Sequence, residues 1–258
     1  MNKLITMTSI ISLMFLSAFT VRAETIRLAN GEWAPYVSKD LKHYGVFSHI
    51  VSEAFALEGI EVEYEFFPWK RSYKYAADGE FDGSLTWAPT PEREKDFYFT
   101  EPVTYNKKVF FHLKSQTFNW NKLSDLKGLN IGTTAQYTYG DEFDNAAKNK
   151  EISVFPVNKD EQNVKKLLAG RIDIFPMEIE VGYGLIHSQL TPAQAALFSN
   201  HPKPVTETPI CVVISKKLPA ERAKRLVEAF NRGLAKLKGS GKYEEYIWKS
   251  RQGNYLQN

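Results

Sequence analysis

The feature that most constrains the fold of this sequence is an alternation of strand-like and helix-like segments after residue 23. Residues 25–29 and 62–66 show strand patterns, and between them residues 46–55 repeat apolar side chains at helical spacing until Gly59 ends the run. Alternation of this kind is typical of α/β domains with parallel strands. The sequence therefore predicts an α/β fold after residue 23.

A unit of helix, glycine and strand occurs twice along the chain. A predicted helix that ends at Gly79 leads into a strand at 81–87, and one that ends at Gly170 leads into a strand at 171–175. In open α/β sheets ligands bind in the crevice at the carboxyl ends of the strands. The two units therefore predict two lobes that face each other across one cleft, although such units also occur in any α/β protein.

Two further apolar segments, 109–114 and 210–215, predict strands that begin where the chain passes between the lobes. We expect each lobe to contain a mixed sheet flanked by helices, and the two crossings to form a hinge. The predicted division places lobe 1 at 24–102 and 211–258, lobe 2 at 108–205, and the hinge crossings at 103–107 and 206–210.

The first 23 residues have the layout of a cleavable signal peptide. Lys3 precedes an apolar run over residues 4–19, and small or polar residues lead to Ala23, so we place the start of the mature chain near Glu24. The run is short and contains Ser and Thr, which disfavours a membrane span, and an uncleaved anchor stays open as the alternative. The sequence therefore predicts export to the periplasm.

Charge and cysteine content argue against a nucleic-acid-binding protein and against a disulfide-bonded one. The chain has 33 basic and 30 acidic residues, and loss of residues 1–23 removes two bases and no acids, which leaves a net charge of +1. This balance disfavours a nucleic-acid partner. Cys211 lies in the apolar run ICVVI, so we expect a buried, inert thiol and no intramolecular disulfide.

The sequence contains no HExxH, paired-cysteine, Gly-x-Ser-x-Gly or Walker-type phosphate-loop motif, and its five histidines share no motif. These are the patterns that most directly predict metal, nucleophile or nucleotide chemistry. We therefore expect no cofactor, no metal ion and no catalytic residue.

Six segments occur in an order and spacing that resemble one protein family: NGEWAPY, FFPWKRSYKYAADGEFDGS, APTPEREKDFYFTEPV, LSDLKGLNIGTTA, LLAGRIDIFPME and GSGKYEEYIWK. The mature chain resembles the family 3 bacterial extracellular solute-binding proteins, which are periplasmic receptors for polar amino acids with the type II binding-protein fold. The segment around TPEREK is the most specific of the six. The resemblance implies two lobes that close around a small polar solute.

The resemblance also assigns the two charged ends of an amino-acid-like ligand. The arginine of the TPER segment, here Arg93, grips the ligand carboxylate in that family, since a guanidinium offers a fork of donors matched to two carboxylate oxygens. A surface arginine paired with Glu92 or Asp96 is the alternative. The family acid that meets the ligand ammonium corresponds to Glu178, which is one methylene longer than the usual aspartate. A solvent-facing glutamate is the alternative there.

Aromatic side chains are implied as walls of the same pocket. Trp33 and Trp69 match positions where the family places aromatic residues around the ligand side chain, and Trp87 fits either a wall or a core position. A flat indole contributes dispersion contacts and holds a cation over its face. A core role is the alternative for each tryptophan.

Three departures from the family pattern concern the pocket. Ala88 replaces a hydroxyl residue that usually helps to hold the carboxylate, while Thr90 keeps the next hydroxyl. Asn30 replaces a frequent acid of the first lobe. In the second lobe the segment GTTAQY, with the candidates Thr134 and Tyr137, lacks the usual glycine-threonine turn whose backbone donors complete the carboxylate site.

These expectations combine into a monomeric periplasmic protein that binds a small polar solute with a carboxylate and delivers it to an inner-membrane ABC permease or presents it to a sensor. Two alternatives stay open. One is a periplasmic dehydratase on the same fold, with Glu178 as general acid and Arg93 holding a substrate carboxylate. The other is a degenerate receptor that serves in protein contacts.

Overall fold

The computed structural model describes residues 24–135 and 137–256, and the predicted signal peptide at residues 1–23 lies outside them. The described part is an α/β structure. Its strands are β1 (Glu24–Asn30), β2 (Ile60–Phe66), β3 (Gly83–Trp87), β4 (Phe97–Phe99), β5 (Thr104–Leu113), β6 (Asn130–Thr134), β7 (Ser153–Val157), β8 (Phe175–Glu178), β9 (Phe198–Asn200) and β10 (Thr206–Ser215). Its α-helices are α1 (Val46–Ala56), α2 (Trp69–Asp78), α3 (Asp141–Lys148), α4 (Asp160–Leu168), α5 (Ile179–Gln189), α6 (Pro192–Ala195), α7 (Ala220–Gly239) and α8 (Lys242–Arg251).

The first half of the fold is a sheet with helices packed on it. β1 lies between β2 and β3 and is parallel to both, and β10 joins β3 in the antiparallel direction. The apolar positions of α1 repeat at helical spacing, so that Val46, Ile50 and Phe55 all face the core and are buried. α7 packs against α1 and contributes Phe230, whose ring lies 5.1 Å from that of Phe55.

The second half contains two further apolar clusters. One gathers around Phe111 and Phe175 beneath α4 and α5, and the other gathers around Phe110 and Phe143 beneath α3. β5 pairs with β8 and β9 in the antiparallel direction, while β6 and β7 form a separate parallel pair. The cores of the two halves therefore share no buried residue among those that the structure describes.

Two long strands join the halves. β5 and β10 run antiparallel, with Thr104 opposite Ile210 and Lys108 opposite Thr206. At one end β10 pairs with β3 and β4, and at the other end β5 pairs with β8 and β9. We call the paired segments 104–108 and 206–210 the ribbon. The ribbon overlaps the predicted crossings, while the predicted domain limits stay a prediction.

The mixed sheet agrees with the sequence, but one predicted strand was wrong. The strand expected at 171–175 lies instead at Phe175–Glu178. Asp173 explains the difference, because its carboxylate accepts from the backbone N–H of Asn130 at 2.7 Å and its own N–H donates to the Asn130 carbonyl. Residues 171–174 therefore run beside β6, and the pairing of this segment with β5 begins only at Phe175.

Residues 24–135 and 137–256 include no helix that combines the length and the apolar character of a membrane crossing. Within the same ranges, no three His, Cys, Asp or Glu side chains are grouped as they would be around a metal ion. Cys211 is buried, as predicted, and burial raises the pKa of its thiol to about 11.

Candidate functional site

A cleft of about 350 Å³ opens beside the carboxyl ends of β1 and β3 and against the ribbon. Its lining includes three tryptophans and one arginine, Trp33, Trp69, Trp87 and Arg93. Four of the nine residues predicted to contact a ligand therefore lie in one cavity. The position also agrees with the crevice expected at the carboxyl ends of strands in open α/β sheets.

The indole of Trp69 lies directly on the backbone of Gly31. A Cβ atom at Gly31 would come within 2.2 Å of the Trp69 ring, so any other residue at this position would displace it. Trp69 also donates from Nε1 to the carbonyl oxygen of Glu32 at 3.3 Å. The NGEW segment thus fixes one wall of the cleft through its backbone.

Trp87 owes its orientation to an irregularity at the end of β3. Thr86 has φ +64°, a left-handed conformation that is costly for a β-branched residue, and the β3–β10 register shifts at the same place. Such bulges redirect the side chain that follows. Trp87 then donates from Nε1 to the hydroxyl of Ser84 at 2.8 Å and contacts Trp69 edge to face, with the ring centres 5.6 Å apart.

Arg93 is the cation of the cleft. Its guanidinium carbon lies 4.9 Å from the centre of the Trp87 ring, and Nη1 donates to the Ala88 carbonyl at 2.8 Å. Of its five N–H donors, this is the one that is used within the part of the chain that the structure describes. The Trp87 ring and one hydrogen bond thus hold the guanidinium, and its other donors have no hydrogen-bond partner among the described residues.

The cleft also contains polar residues that the sequence analysis missed. Glu32 contributes a carboxylate, and Asn106 and Thr208 contribute an amide and a hydroxyl from neighbouring positions of the ribbon. The amide oxygen of Asn106 is buried and has no hydrogen-bond partner among the described residues. Glu32 belongs to the NGEWAPY segment and Asn106 to a predicted hinge crossing. Their positions in these segments were the sequence signal that could have identified them as cleft residues.

Thr90 and Asn30 support the cleft without lining it. The hydroxyl of Thr90 accepts from the backbone N–H of Arg93 at 3.3 Å, at the start of the short helical turn Arg93–Lys95. The Asn30 side chain is fully buried, and neither its amide nitrogen nor its amide oxygen has a partner among the described residues. Thr90 therefore positions the arginine, and Asn30 lies beneath the surface.

Thr134 and Tyr137 lie together in the second half, apart from the lining of this cleft. Both side chains bind Asp160 at the start of α4, at 2.5 Å from the Thr134 hydroxyl and 3.1 Å from the Tyr137 hydroxyl. Asn163 adds a donor to the Thr134 hydroxyl. The structure thus gathers these two predicted residues around one carboxylate.

Glu178 is buried and also lies apart from the cleft lining. Its carboxylate accepts from the Tyr36 hydroxyl at 2.6 Å and from the backbone N–H of Val181 at 2.9 Å, which caps α5. Burial raises the pKa of Glu178 to about 8, and the two hydrogen bonds offset part of that increase. This carboxyl group is therefore held by the protein itself, with Tyr36 from the first half as its partner.

Comparison with known proteins finds similarity over most of the described chain. The model of one family, bacterial extracellular solute-binding proteins, family 3, matches residues 28–249. Substrate-binding domain 2 of GlnP from Lactococcus lactis, in an open conformation, aligns with 91% of this chain and 96% of its own at 19% identity and a TM-score of 0.72.

Two further solved structures agree with this fold. The L-cystine solute receptor of Neisseria gonorrhoeae, unliganded and open, covers 92% of this chain and 96% of its own, with 17% identity and a TM-score of 0.71. A polar amino acid ABC uptake transporter substrate-binding protein from Streptococcus thermophilus covers 91% and 93%, with 20% identity and a TM-score of 0.71. The predicted two-lobed type II binding-protein fold is confirmed.

Proposed function

The chain belongs to the bacterial extracellular solute-binding proteins, family 3, and we propose that it binds a small polar, amino-acid-like solute in the cleft around Arg93. The observation that carries this proposal is the guanidinium of Arg93, which lies over Trp87, lines a cleft with two further indoles and uses one of its five N–H donors among the described residues. A guanidinium held in this way is suited to a carboxylate.

The indoles and the ribbon indicate which groups the ligand carries besides its carboxylate. Trp33 and Trp69 offer flat apolar faces that suit an aliphatic, aromatic or cationic side chain. The unpartnered amide oxygen of Asn106 accepts a hydrogen bond from a ligand donor such as an amine or a hydroxyl. The cleft thus favours a solute with a carboxylate, a donor and a compact side chain.

We propose that the protein acts in the periplasm as the receptor of an inner-membrane ABC permease or of a sensor. Family membership supports this role, since members are extracellular solute-binding proteins. Ligand contacts from both halves would favour a closed arrangement, and the partner would recognise that arrangement. Thr134 and Tyr137 remain proposed contacts of the second half, whereas Glu178, which is already bonded to Tyr36, is not included in this proposal.

The dehydratase alternative requires Arg93 and Glu178 to act on one molecule. Glu178 is bonded to Tyr36 and does not line the cleft that contains Arg93. We therefore propose binding as the function of this site.

A thermal-shift screen tests the proposal with amino acids, amines, small carboxylates and short peptides, because a ligand that binds the native state alone raises the melting temperature. We expect a carboxylate-bearing compound to stabilise the wild type and the control variant Arg71→Ala, since Arg71 is exposed on α2. The Arg93→Ala variant should fold and show no shift with the same compound. Equal shifts in all three proteins would refute the carboxylate assignment.

A further inference from the structure

Two acidic side chains at the start of α5 are held by the first half of the molecule. Glu178 accepts from Tyr36, and Glu180 forms an ion pair with Arg251, the last residue of α8. Arg251 donates from Nε at 2.9 Å and from Nη2 at 2.6 Å to one oxygen of Glu180, and its Nε lies 3.2 Å from the other. The Glu180 side chain is 2% exposed and that of Arg251 36%. The contact is therefore a charged and largely buried tie between the halves.

This ion pair and the ligand cleft lie on opposite faces of the ribbon. Asn106 and Thr208, which are paired in register, line the cleft. Tyr105 and Lys107, which alternate with Asn106 along β5, line the cavity of about 340 Å³ that includes Glu180 and Arg251, and Thr104 at the start of the ribbon reaches it as well. Successive side chains of a strand point to opposite faces. Any bending of the ribbon that narrows the cleft must therefore widen the gap between α5 and α8.

Two open surface cavities border the contact between α5 and α8. Arg251 lines both the cavity of about 340 Å³ and another of about 400 Å³, whose lining includes Tyr183 and His187 of α5. The Arg251–Glu180 ion pair is one of several contacts that join the halves here, beside the Tyr36–Glu178 hydrogen bond and the packing of Val181 against the core of the first half.

We propose that the Arg251–Glu180 ion pair holds the cleft open and thereby sets solute affinity from outside the binding site. Closure around a solute separates the two charges, so part of the binding free energy is used to break the pair. Without Arg251 the Glu180 carboxylate stays buried and unpaired in the open form, whereas closure exposes it to water. Loss of the arginine therefore favours closure. This inference rests on the proposed closing motion.

The test measures opening without any solute. Spin labels on Lys70→Cys and Lys159→Cys report the width of the cleft. Lys70 follows the cleft tryptophan Trp69 in the first half, and Lys159 follows the carboxyl end of β7 in the second half. Both lysines are exposed. Pulsed electron paramagnetic resonance then gives the distance distribution of the full chain with and without Arg251→Met. We expect the ratio of open to closed molecules to fall about tenfold, within the usual range of conformational coupling.

Two further variants make the result decisive. Glu180→Gln removes the ion pair and leaves no buried charge, so it should shift the distribution in the same direction by a smaller factor. The control Arg222→Met breaks an ion pair with Glu24 and Asp82 inside the first half and should leave the distances unchanged. Unchanged distances in Arg251→Met and Glu180→Gln, or an equal shift in the control, would overturn the inference. Since no solute is present, failure of the ligand assignment cannot produce either result.

Discussion

Replacing Glu178 by glutamine should remove a strong pH dependence from the stability of the protein. The carboxyl group is 6% exposed, and burial raises its pKa from the ordinary 4.5 to about 8. Between these two values the folded chain keeps a proton that the unfolded chain releases. Increasing pH therefore favours unfolding in this range. The stabilising contribution is complete below about pH 4.5 and is lost as the pH increases through about 8.

The size of the effect follows from the same values. A tenfold difference in proton affinity corresponds to about 1.4 kcal/mol, so the difference between 4.5 and about 8 corresponds to at most about 5 kcal/mol. The side-chain amide of the Glu178→Gln variant carries no proton that titrates in this range. Tyr36 and Val181 are donors, and the amide oxygen of the variant accepts from one of them.

Urea unfolding of the wild type and of Glu178→Gln from about pH 5 to about pH 9 measures the difference directly. We expect the free energy of unfolding of the wild type to fall by several kcal/mol relative to the variant over this range. Burial lowers the pKa of His49 to about 4 and lowers that of His201, but both histidines are present in both proteins and cancel in the difference. Parallel stability curves would refute the argument that Glu178 is protonated at neutral pH.

Two substitutions test how the cleft walls are built. Gly31→Ala should displace the Trp69 indole, because the new Cβ would lie 2.2 Å from the ring. We expect the near-UV circular dichroism spectrum to change and solute binding to weaken at least tenfold. An unchanged spectrum together with wild-type affinity would contradict this. Thr86→Gly should relieve the backbone strain of the left-handed conformation at φ +64° and raise the free energy of unfolding by about 1 kcal/mol. Urea titration of both proteins measures this difference. A lower free energy of unfolding in the variant would show that the strain at Thr86 has been overestimated.

Much of the fold follows from the sequence because local patterns determine it. The helical spacing of Val46, Ile50 and Phe55 and the stop at Gly59 predict α1 and its buried face, and the structure confirms both. The strand at Phe175–Glu178 was misplaced because a long-range pair, Asp173 with Asn130, redirects the chain before it. Periodicity carries no information about a contact between residues so far apart.

The sequence predicted those cleft residues that can be recognised from their own sequence segment. The positions of Trp33, Trp69 and Arg93 followed from their segments. The orientation of Trp87 depends on the bulge at Thr86, and the exposure of Asn106 to the cleft depends on strand register, which only the folded chain defines. The pairing of Arg251 with Glu180 spans both halves and has no sequence pattern at all.

The distribution of the cleft residues suggests an order of events in binding. Trp33, Trp69, Trp87 and Arg93 all belong to the first half, and the ribbon adds Asn106, while no residue beyond the ribbon in the second half lines the cleft among the described residues. A solute therefore meets a preformed surface on one half, where the guanidinium is already stacked and needs no rearrangement. The second half must then be brought in by bending of the ribbon. The free energy of that step includes separation of Arg251 from Glu180, so affinity depends on a contact that the solute never touches.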